Sequence, residues 1–286
     1  MIGALLIDKP AGITSHDAVQ QVRRALDTRS VGHTGTLDPF ATGLLVMLAG
    51  RATRLARFVE PQPKTYLAAA RLGVRTDTDD PTGEVIEESP VEGLSRERVL
   101  EALAGFAGEQ RQRPPAYSAK HVGGERSYRL ARRGAAVEPA EVSVTVHRIE
   151  PVDWHPPELV FRATVSAGTY LRAIARDLGA RLGVGAHLTA LRREAIGGLR
   201  VEDAVSLDRV SPDTLRPVVE VLGHLPAVEL DETGRAAVVH GRALEARGAA
   251  GQRGSGAVVL LDGSVVVAVA EAADGWLKPV VVLGGS

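Results

Sequence analysis

The sequence predicts an α+β protein, with a mixed, mainly antiparallel sheet and flanking helices over residues 1–225 and a small β-barrel over residues 226–286. Two observations predict this fold class. In the first part, short apolar runs typical of buried strands alternate with segments whose apolar residues recur at helical spacing. After residue 226 only short β-like runs remain, separated by turn residues as in small barrels.

The first predicted elements are a strand, a helix and a loop. Residues 2–7 form an apolar run that ends before Pro10. Ser15 is predicted to cap a helix, and apolar residues follow it at helical spacing: Val19, Val22 and Leu26. A loop rich in Gly and Thr spans residues 32–43, and residues 44–48 are predicted to be a second buried strand.

Five further elements complete the first domain. Residues 65–72 are a predicted strand, and Ser95 is predicted to cap a helix of about ten residues. Residues 141–149 and 159–166 are predicted to be two strands of one sheet, and a helix follows the second of them.

The carboxyl-terminal domain follows residues 203–226, a stretch with three prolines that is predicted to link the two domains. Residues 258–261 and 265–270 flank Asp262-Gly263, a dipeptide that strongly indicates a hairpin turn. Residues 280–283 supply a third short run, and the three together favour a small barrel.

The composition limits the possible chemistry. The chain has no cysteine, which excludes disulfides, thiolate nucleophiles, iron–sulfur clusters and zinc ribbons. The histidines are too dispersed for a metal site, so neither a metal nor a cofactor is expected. No apolar run approaches the ~20 residues of a membrane helix, and the amino terminus lacks the features of a signal peptide. A cytoplasmic protein is therefore expected.

The first candidate site is the loop at residues 32–43, which contains Asp38 followed by Pro39. Glycines permit a tight backbone there and proline restricts it, so a carboxylate on this loop is well placed to act as a nucleophile or general base. The alternative is a plain Asp-Pro turn beside a buried strand. The loop has neither of the common phosphate-binding fingerprints.

The second candidate site is the turn at residues 166–172, where a strand leads through Gly168 into a predicted helix. Tyr170 and Arg172 fall in the first helical turn. The helix dipole disfavours an arginine at that position, so Arg172 needs a compensating anion, either a carboxylate or a phosphate. The alternative is an exposed arginine on a surface helix.

The third candidate is the stretch 111–133, which sums to +6, although the whole chain carries a formal charge of −1. Arg129 and Arg132 belong to it, and tyrosines are interleaved with its basic residues. Basic residues bind phosphates and tyrosines stack on bases, although a solvated charged face has the same pattern. The acidic stretch 77–98 offsets this charge, so the small net value does not exclude an RNA partner.

Together these segments resemble the bacterial tRNA pseudouridine-55 synthases of the TruB type. The resemblance covers about residues 2–205, and its order and spacing are specific. It rests on residues 5–12 (LLIDKPAG), 32–39 (GHTGTLDP), 64–66 (KTY), 72–80 (LGVRTDTDD), 114–119 (PPAYSA), 168–172 (GTYLR) and 191–193 (LRR). The last sixty residues resemble a PUA-type RNA-binding barrel more weakly, through residues 275–279 (GWLKP).

The resemblance implies the pseudouridine synthase fold and isomerisation of the uridine at T-loop position 55, without a cofactor. Asp38 is implied as the nucleophile or base, paired with Arg172 where the cleft crosses the sheet. Tyr66 is implied to stack on the flipped-out base and to relay its C5 proton. The remaining implied substrate contacts are His33, Tyr170, Leu191, Lys9, Arg129 and Arg132. The expected partner is the tRNA T-arm, with no membrane and no obligate protein partner, and the expected state is a monomer.

The sequence departs from this pattern in two places and leaves rival functions open. Residues 165–167 read Val-Ser-Ala where relatives often have Cys-Ser-Lys, and Phe40 stands where leucine is common.

The main rival is a non-catalytic RNA-binding or tRNA-chaperone protein. A synthase acting on another RNA, alone or in a guide-RNA particle, is a second. A nucleoside glycosidase is a third, and it would need a second carboxylate, for which Asp80 is the candidate.

Overall fold

The computed structural model describes residues 1–116, 121–122, 125–126, 139–246 and 256–284. The chain divides into two compact units, each assembled from separate stretches of sequence. The first unit comprises Met1–Pro39, Gly43–Pro61 and Gly197–Ser286, and the second comprises Phe40–Thr42 and Gln62–Ile196. The predicted domain boundary at residue 225 stays a prediction.

The amino-terminal part of the first unit is a small antiparallel sheet with one long and one short helix. β1 (Gly3–Lys9) and β2 (Val31–His33) both pair antiparallel with β3 (Thr42–Ala49). Helix α1 (Ser15–Ala25) connects β1 to β2, and a 3-10 turn leads from β3 into the short α2 (Ala56–Val59). The strands predicted at residues 2–7 and 44–48 are confirmed, whereas Gly32 and His33 of β2 fall in the stretch predicted to be a loop.

Helix α1 begins one residue earlier than predicted, because Thr14 is its cap. The Thr14 side chain accepts a hydrogen bond from the Asp17 amide and Asp17 bonds back to Thr14, which forms a reciprocal capping box. The predicted cap, Ser15, is buried in the first turn. Its hydroxyl accepts from the Leu37 amide at 2.9 Å and donates to the Leu37 carbonyl at 3.1 Å. Ser15 therefore holds the loop residue next to Asp38 and does not cap the helix.

The second unit is built on five antiparallel strands. In spatial order they are β12 (Ala186–Ile196), β4 (Lys64–Leu72), β11 (Glu158–Val165), β10 (Val142–His155) and β7 (Gly108–Gln112). These pairings confirm the prediction of a mainly antiparallel sheet.

Two helices and two short hairpins accompany that sheet. Helix α3 (Arg96–Ala104) contacts β10 and helix α4 (Leu171–Leu182), and α4 contacts β12 and β4. The hairpins are β5 (Val74–Thr76) with β6 (Val85–Glu88), and β8 (His121–Val122) with β9 (Glu125–Arg126). Ser95 caps α3 as predicted, through a hydrogen bond from the Arg98 amide.

The carboxyl-terminal part of the first unit carries a five-stranded half-barrel. β13 (Leu199–Arg200) and α5 (Val218–Val221) precede it. Its strands and helix are β14 (Ala227–Glu229), α6 (Glu232–Val239), β15 (Leu244–Glu245), β16 (Gly256–Asp262), β17 (Val265–Ala273) and β18 (Trp276–Val282). β14 pairs parallel with β16 and the other pairs are antiparallel. The hairpin predicted at Asp262-Gly263 is confirmed, whereas the PUA-like identity stays a prediction.

Among the residues that the structure describes, no helix is long and apolar enough to cross a membrane.

The fold places α4 directly against the turn that leads into β12. A Cβ added at Gly179 of α4 would lie 2.2 Å from the Ala186 backbone nitrogen and 2.2 Å from the Gly185 carbonyl carbon. We therefore expect Gly179→Ala to lower the free energy of unfolding by about 1–3 kcal/mol through overpacking, measured by urea denaturation. Gly198→Ala is the control, because its Cβ would meet no heavy atom within 4 Å. Equal stability of the two variants would contradict this packing.

Candidate active site

The start of α4 is held by a buried glutamine on the neighbouring strand β7. Gly168 takes a left-handed conformation (φ 85°), and Tyr170 follows as the helix cap with no side-chain cap of its own. The Gln112 side chain replaces that cap. Its Oε1 accepts from the Tyr170 amide at 2.9 Å, and its Nε2 donates to the Tyr170 carbonyl at 3.1 Å. Gln112, a single glutamine between two arginines, was not identified as a site residue from the sequence.

Arg172, in the first turn of α4, is buried and bound to a carboxylate. Its Nη1 lies 3.1 Å from Asp80 Oδ2 and 3.0 Å from the Thr78 carbonyl oxygen. Arg172 is 3% exposed and Asp80 is 4% exposed, so the pair is removed from water. The compensating anion that the position of Arg172 requires is therefore supplied by Asp80. The pairing of Arg172 with Asp38 stays a prediction.

Asp80 is fixed by the loop that carries it. Its Oδ1 accepts three hydrogen bonds, from the Thr78 hydroxyl at 2.8 Å, the Thr82 amide at 3.0 Å and the Thr82 hydroxyl at 2.6 Å. The Thr76 hydroxyl donates to the Asp80 carbonyl at 2.8 Å. One carboxylate oxygen is thus held by the loop and the other faces Arg172. This arrangement fixes the guanidinium in one place.

Two of the predicted pocket residues lie on one face of the sheet. Tyr66 on β4 and Leu191 on β12 are both buried. Leu191 lies opposite Ala68, two residues along the strand from Tyr66, so the register brings both side chains to the same face. Tyr170 is half-buried at the start of α4, which packs on these same strands. The second unit therefore brings four predicted residues, Tyr66, Tyr170, Arg172 and Leu191, to one region.

The Asp38 loop belongs to the first unit, where residues on both sides of Asp38 are anchored. Leu37 is bonded to the buried Ser15 hydroxyl. The Pro39 carbonyl accepts from the Gly12 amide at 2.9 Å and from Lys9 Nζ at 3.4 Å. Asp38 itself is half-buried. A carboxylate flanked by two fixed residues matches the rigid loop that the sequence predicts.

Lys9 and His33 are both bonded to backbone atoms of the first unit. Lys9 is fully buried, and its ammonium donates to the Pro10 carbonyl at 2.8 Å and the Ile13 carbonyl at 2.9 Å as well as to Pro39. His33 Nδ1 accepts from the Gly35 amide at 3.2 Å. The substrate contacts implied for both residues stay predictions.

Most of the basic stretch 111–133 lies outside the described residues, Arg129 and Arg132 included. Of its basic side chains, those of Arg111 and Arg113 are described. Both are exposed and lie 3.7 Å from carboxylate oxygens of Glu141. Exposed pairs at this distance contribute little to stability, so these guanidinium groups can exchange Glu141 for another anion.

Across the described part of the chain, no group of three or more His, Asp or Glu side chains is arranged to hold a metal ion. The second unit offers a guanidinium, a carboxylate and a phenol, and the first unit offers the carboxylate of Asp38; groups of these types serve acid–base or nucleophilic chemistry.

Comparison with known proteins shows a match along nearly the whole chain. Residues 23–171 match the model of the TruB family pseudouridylate synthase N-terminal domain, and residues 172–216 match that of the tRNA pseudouridylate synthase B C-terminal domain. The chain is 44% identical over 294 residues to tRNA pseudouridine synthase B of Thermobifida fusca, with 99% of each chain covered. It is 39% identical over 286 residues to the enzyme of the same name from Aquifex aeolicus, with 98% of each covered.

Solved structures agree with the fold. A chain from an H/ACA RNP bound to a substrate RNA containing 2'-deoxyuridine superposes with a TM-score of 0.77 at 24% identity, covering 99% of this chain and 85% of that one. A chain from a Cbf5-Nop10-Gar1 complex superposes with a TM-score of 0.74 at 28% identity, covering 95% and 78%. With the family models and relatives matching over this length, the chain belongs to the TruB family of pseudouridylate synthases.

Proposed function

We propose that this chain, a pseudouridine synthase by family, isomerises the uridine at T-loop position 55 of tRNA, with Asp38 as the nucleophile or general base. The observation that carries the proposal is the fixed position of Asp38, which lies between two anchored residues on a half-buried loop. Relatives along the full length are named tRNA pseudouridine synthase B, which supports tRNA as the substrate.

The reaction exchanges one bond of the nucleotide for another. The N1–C1′ bond breaks, the uracil rotates within the pocket, and C5 bonds to C1′. C5 then loses its proton and N1 gains one, so no electrons are exchanged with any other molecule. The Asp38 carboxylate has three routes open to it: attack on the base, attack on C1′, or removal of a proton from the sugar. Each of them requires the ionised form.

We place Arg172 opposite Asp38 across the cleft. A guanidinium about 4 Å from a carboxylate stabilises its ionised form by roughly 4 kcal/mol at an effective dielectric constant of 20, before desolvation. Arg172 can serve this purpose because Asp80 and the Thr78 carbonyl already hold one edge of its guanidinium group. Tyr66, Leu191 and Tyr170 then enclose the uracil, and Tyr66 accepts or relays the C5 proton.

RNA recognition has to supply the energy of base flipping. Extruding a base from a folded loop costs a few kcal/mol, and His33 would fill the vacated space or stack on its neighbours. We assign the grip on the T-arm backbone to the basic stretch 111–133, with Arg129 and Arg132. Lys9 would contribute by holding the Pro39 carbonyl and hence the Asp38 loop. Recognition would then depend on the shape of the T-loop more than on base sequence.

Replacing Asp38 by asparagine tests the proposal directly, because it keeps the shape and removes the charge. We expect Asp38→Asn to lower the rate of tritium release from C5-labelled T-arm RNA by at least about 10²–10⁴-fold, with RNA affinity unchanged. Asp27→Asn, at an exposed position after α1, is the matched control. Full activity of Asp38→Asn would overturn the mechanism. A wild-type chain that binds T-arm RNA without tritium release would point instead to a non-catalytic RNA-binding protein.

The two proposed roles of Tyr66 can be separated by two substitutions. Tyr66→Phe keeps the ring that stacks on the base and removes the hydroxyl, so we expect slower C5 proton release with unchanged RNA affinity. Tyr66→Leu removes both, so we expect a further loss of rate. Single-turnover kinetics on T-arm RNA measure the difference. Equal rates for the two variants would show that the hydroxyl takes no part.

The Arg172–Asp80 pair makes a prediction about stability. Asp80→Asn leaves a buried guanidinium with a neutral partner, and breaking a buried pair in this way costs about 3–5 kcal/mol. Urea unfolding should show this loss, together with a reduced rate of pseudouridine formation. The control is Glu87→Gln, which removes the half-exposed Arg75–Glu87 pair of the β5–β6 hairpin and should cost no more than about 1 kcal/mol. A similar cost for both variants would contradict the assigned burial.

A further inference from the structure

A second ion pair lies directly beside Arg172 and Asp80, and the function proposed above does not use it. Asp79 Oδ2 lies 3.3 Å from Arg176 Nη1. Two consecutive carboxylates of one loop are therefore bound by two arginines one turn apart on α4. Along the helix, Arg172 pairs with Asp80, and one turn later Arg176 pairs with Asp79.

Arg176 is bound on every side of its guanidinium. Besides Asp79, its Nε lies 2.8 Å from Asp177 Oδ1, and its Nη2 donates to the Arg113 carbonyl at 2.9 Å. Its side chain is 24% exposed and that of Asp79 is 15% exposed. Arg176 thus joins three segments of the second unit: the Asp79–Asp80 loop, helix α4 and the stretch after β7.

Asp79 is held in place by its backbone as well. It has a positive φ of 60°, which is uncommon for a residue other than glycine. Its amide donates to the Thr76 carbonyl at 3.3 Å, and its carbonyl accepts from the Leu188 amide of β12 at 3.1 Å. Because both backbone groups are bonded, the backbone of Asp79 is fixed at this place in the second unit.

The charges around Asp79 make Arg176 important for Arg172. Burial raises the pKa of Asp79, and the positive charges of Arg176 and then Arg172 counteract that rise, whereas Asp177 adds to it. Without Arg176, the cation that remains beside the Asp79 carboxylate is Arg172. Asp79 and Asp80 would then compete for one guanidinium, which the proposed mechanism assigns to Asp38.

We propose that Arg176 is a positioning residue, which neutralises Asp79 so that Arg172 stays bound to Asp80 and directed at the reacting nucleotide. This inference rests on the proposed function for its effect on rate. The structural part of the inference is that the position of Arg172 depends on a neighbouring ion pair, and this part is independent of the proposed function. Arg176 itself is not assigned a contact with substrate.

The test is a double-mutant cycle with Arg176→Gln, Asp79→Asn and the double variant. We expect Arg176→Gln to lower the single-turnover rate by roughly 10-fold, with affinity for T-arm RNA changed less than about twofold. The double variant removes both charges and should recover to within about threefold of wild type. A double variant that is as slow as Arg176→Gln would overturn the proposal, because the loss would then not arise from the unneutralised charge of Asp79.

Two further variants separate charge from shape. Arg176→Lys keeps the positive charge and loses the planar fork, so it should stay within about threefold of the wild-type rate. Arg181→Gln is the matched control on the same helix, because Arg181 bonds the Ala102 carbonyl and lies over the Phe106 ring at 4.3 Å, away from Asp79. A loss for Arg176→Lys equal to that of Arg176→Gln would contradict a role that depends on charge.

An arginine NMR measurement makes the result independent of activity. The ¹⁵N–¹H signal of the Arg172 side chain, assigned with Arg172→Lys, should shift in Arg176→Gln and return toward its original position in the double variant. An Arg172 signal that Arg176→Gln leaves unmoved would overturn the inference, whether or not the protein makes pseudouridine. If the signal shifts as expected while wild type is inactive on T-arm RNA, the proposed function has failed and the positioning role has not.

Discussion

A buried guanidinium at the beginning of a helix is the constraint on which much of the second unit depends. Arg172 has lost its water, and it lies at the positive end of the α4 dipole. Burial and the dipole both disfavour the cation, so a carboxylate must reach it from elsewhere in the chain. The loop that carries Asp80 is built for that purpose. Its threonines bind one carboxylate oxygen. The loop is also too tight for a side chain at position 83, because a Cβ added at Gly83 would lie 2.3 Å from Asp77 Oδ1.

The need for an anion could be predicted from sequence, but its identity could not. A strand, a glycine turn and a helix are local patterns, and they place Arg172 correctly in the first turn of α4. Asp80 is separated from Arg172 by 92 residues and comes near because β12 pairs with β4 and α4 packs on both. Strand order of this kind depends on long-range packing, which local periodicity does not report. Gln112 was missed for the same reason, since its partner is a backbone 58 residues away.

The predicted element boundaries are wrong where a polar side chain can take more than one role. Ser15 and Thr14 are both good caps by residue type, and the choice between them depends on the distant Leu37 backbone, which binds the Ser15 hydroxyl. β10 continues to His155 past Pro151, although proline usually ends a strand. Register shifts on either side of this proline accommodate it. β4 and β11 were predicted to within one residue at each end, whereas β12 was not predicted.

The distribution of charge takes on a different meaning once the ion pairs are known. Counted along the sequence, the acidic stretch 77–98 offsets the basic stretch 111–133 and would weaken attraction to RNA. In the folded chain, Asp79 and Asp80 face Arg176 and Arg172 inside the second unit, and Glu87 is paired with Arg75. These carboxylates are neutralised at close range, and screening by salt further reduces what they contribute beyond about 10 Å. A polyanion approaching this unit therefore does not meet these three carboxylates as free charges, although their arginine partners are neutralised with them and the formal charge of −1 is unchanged.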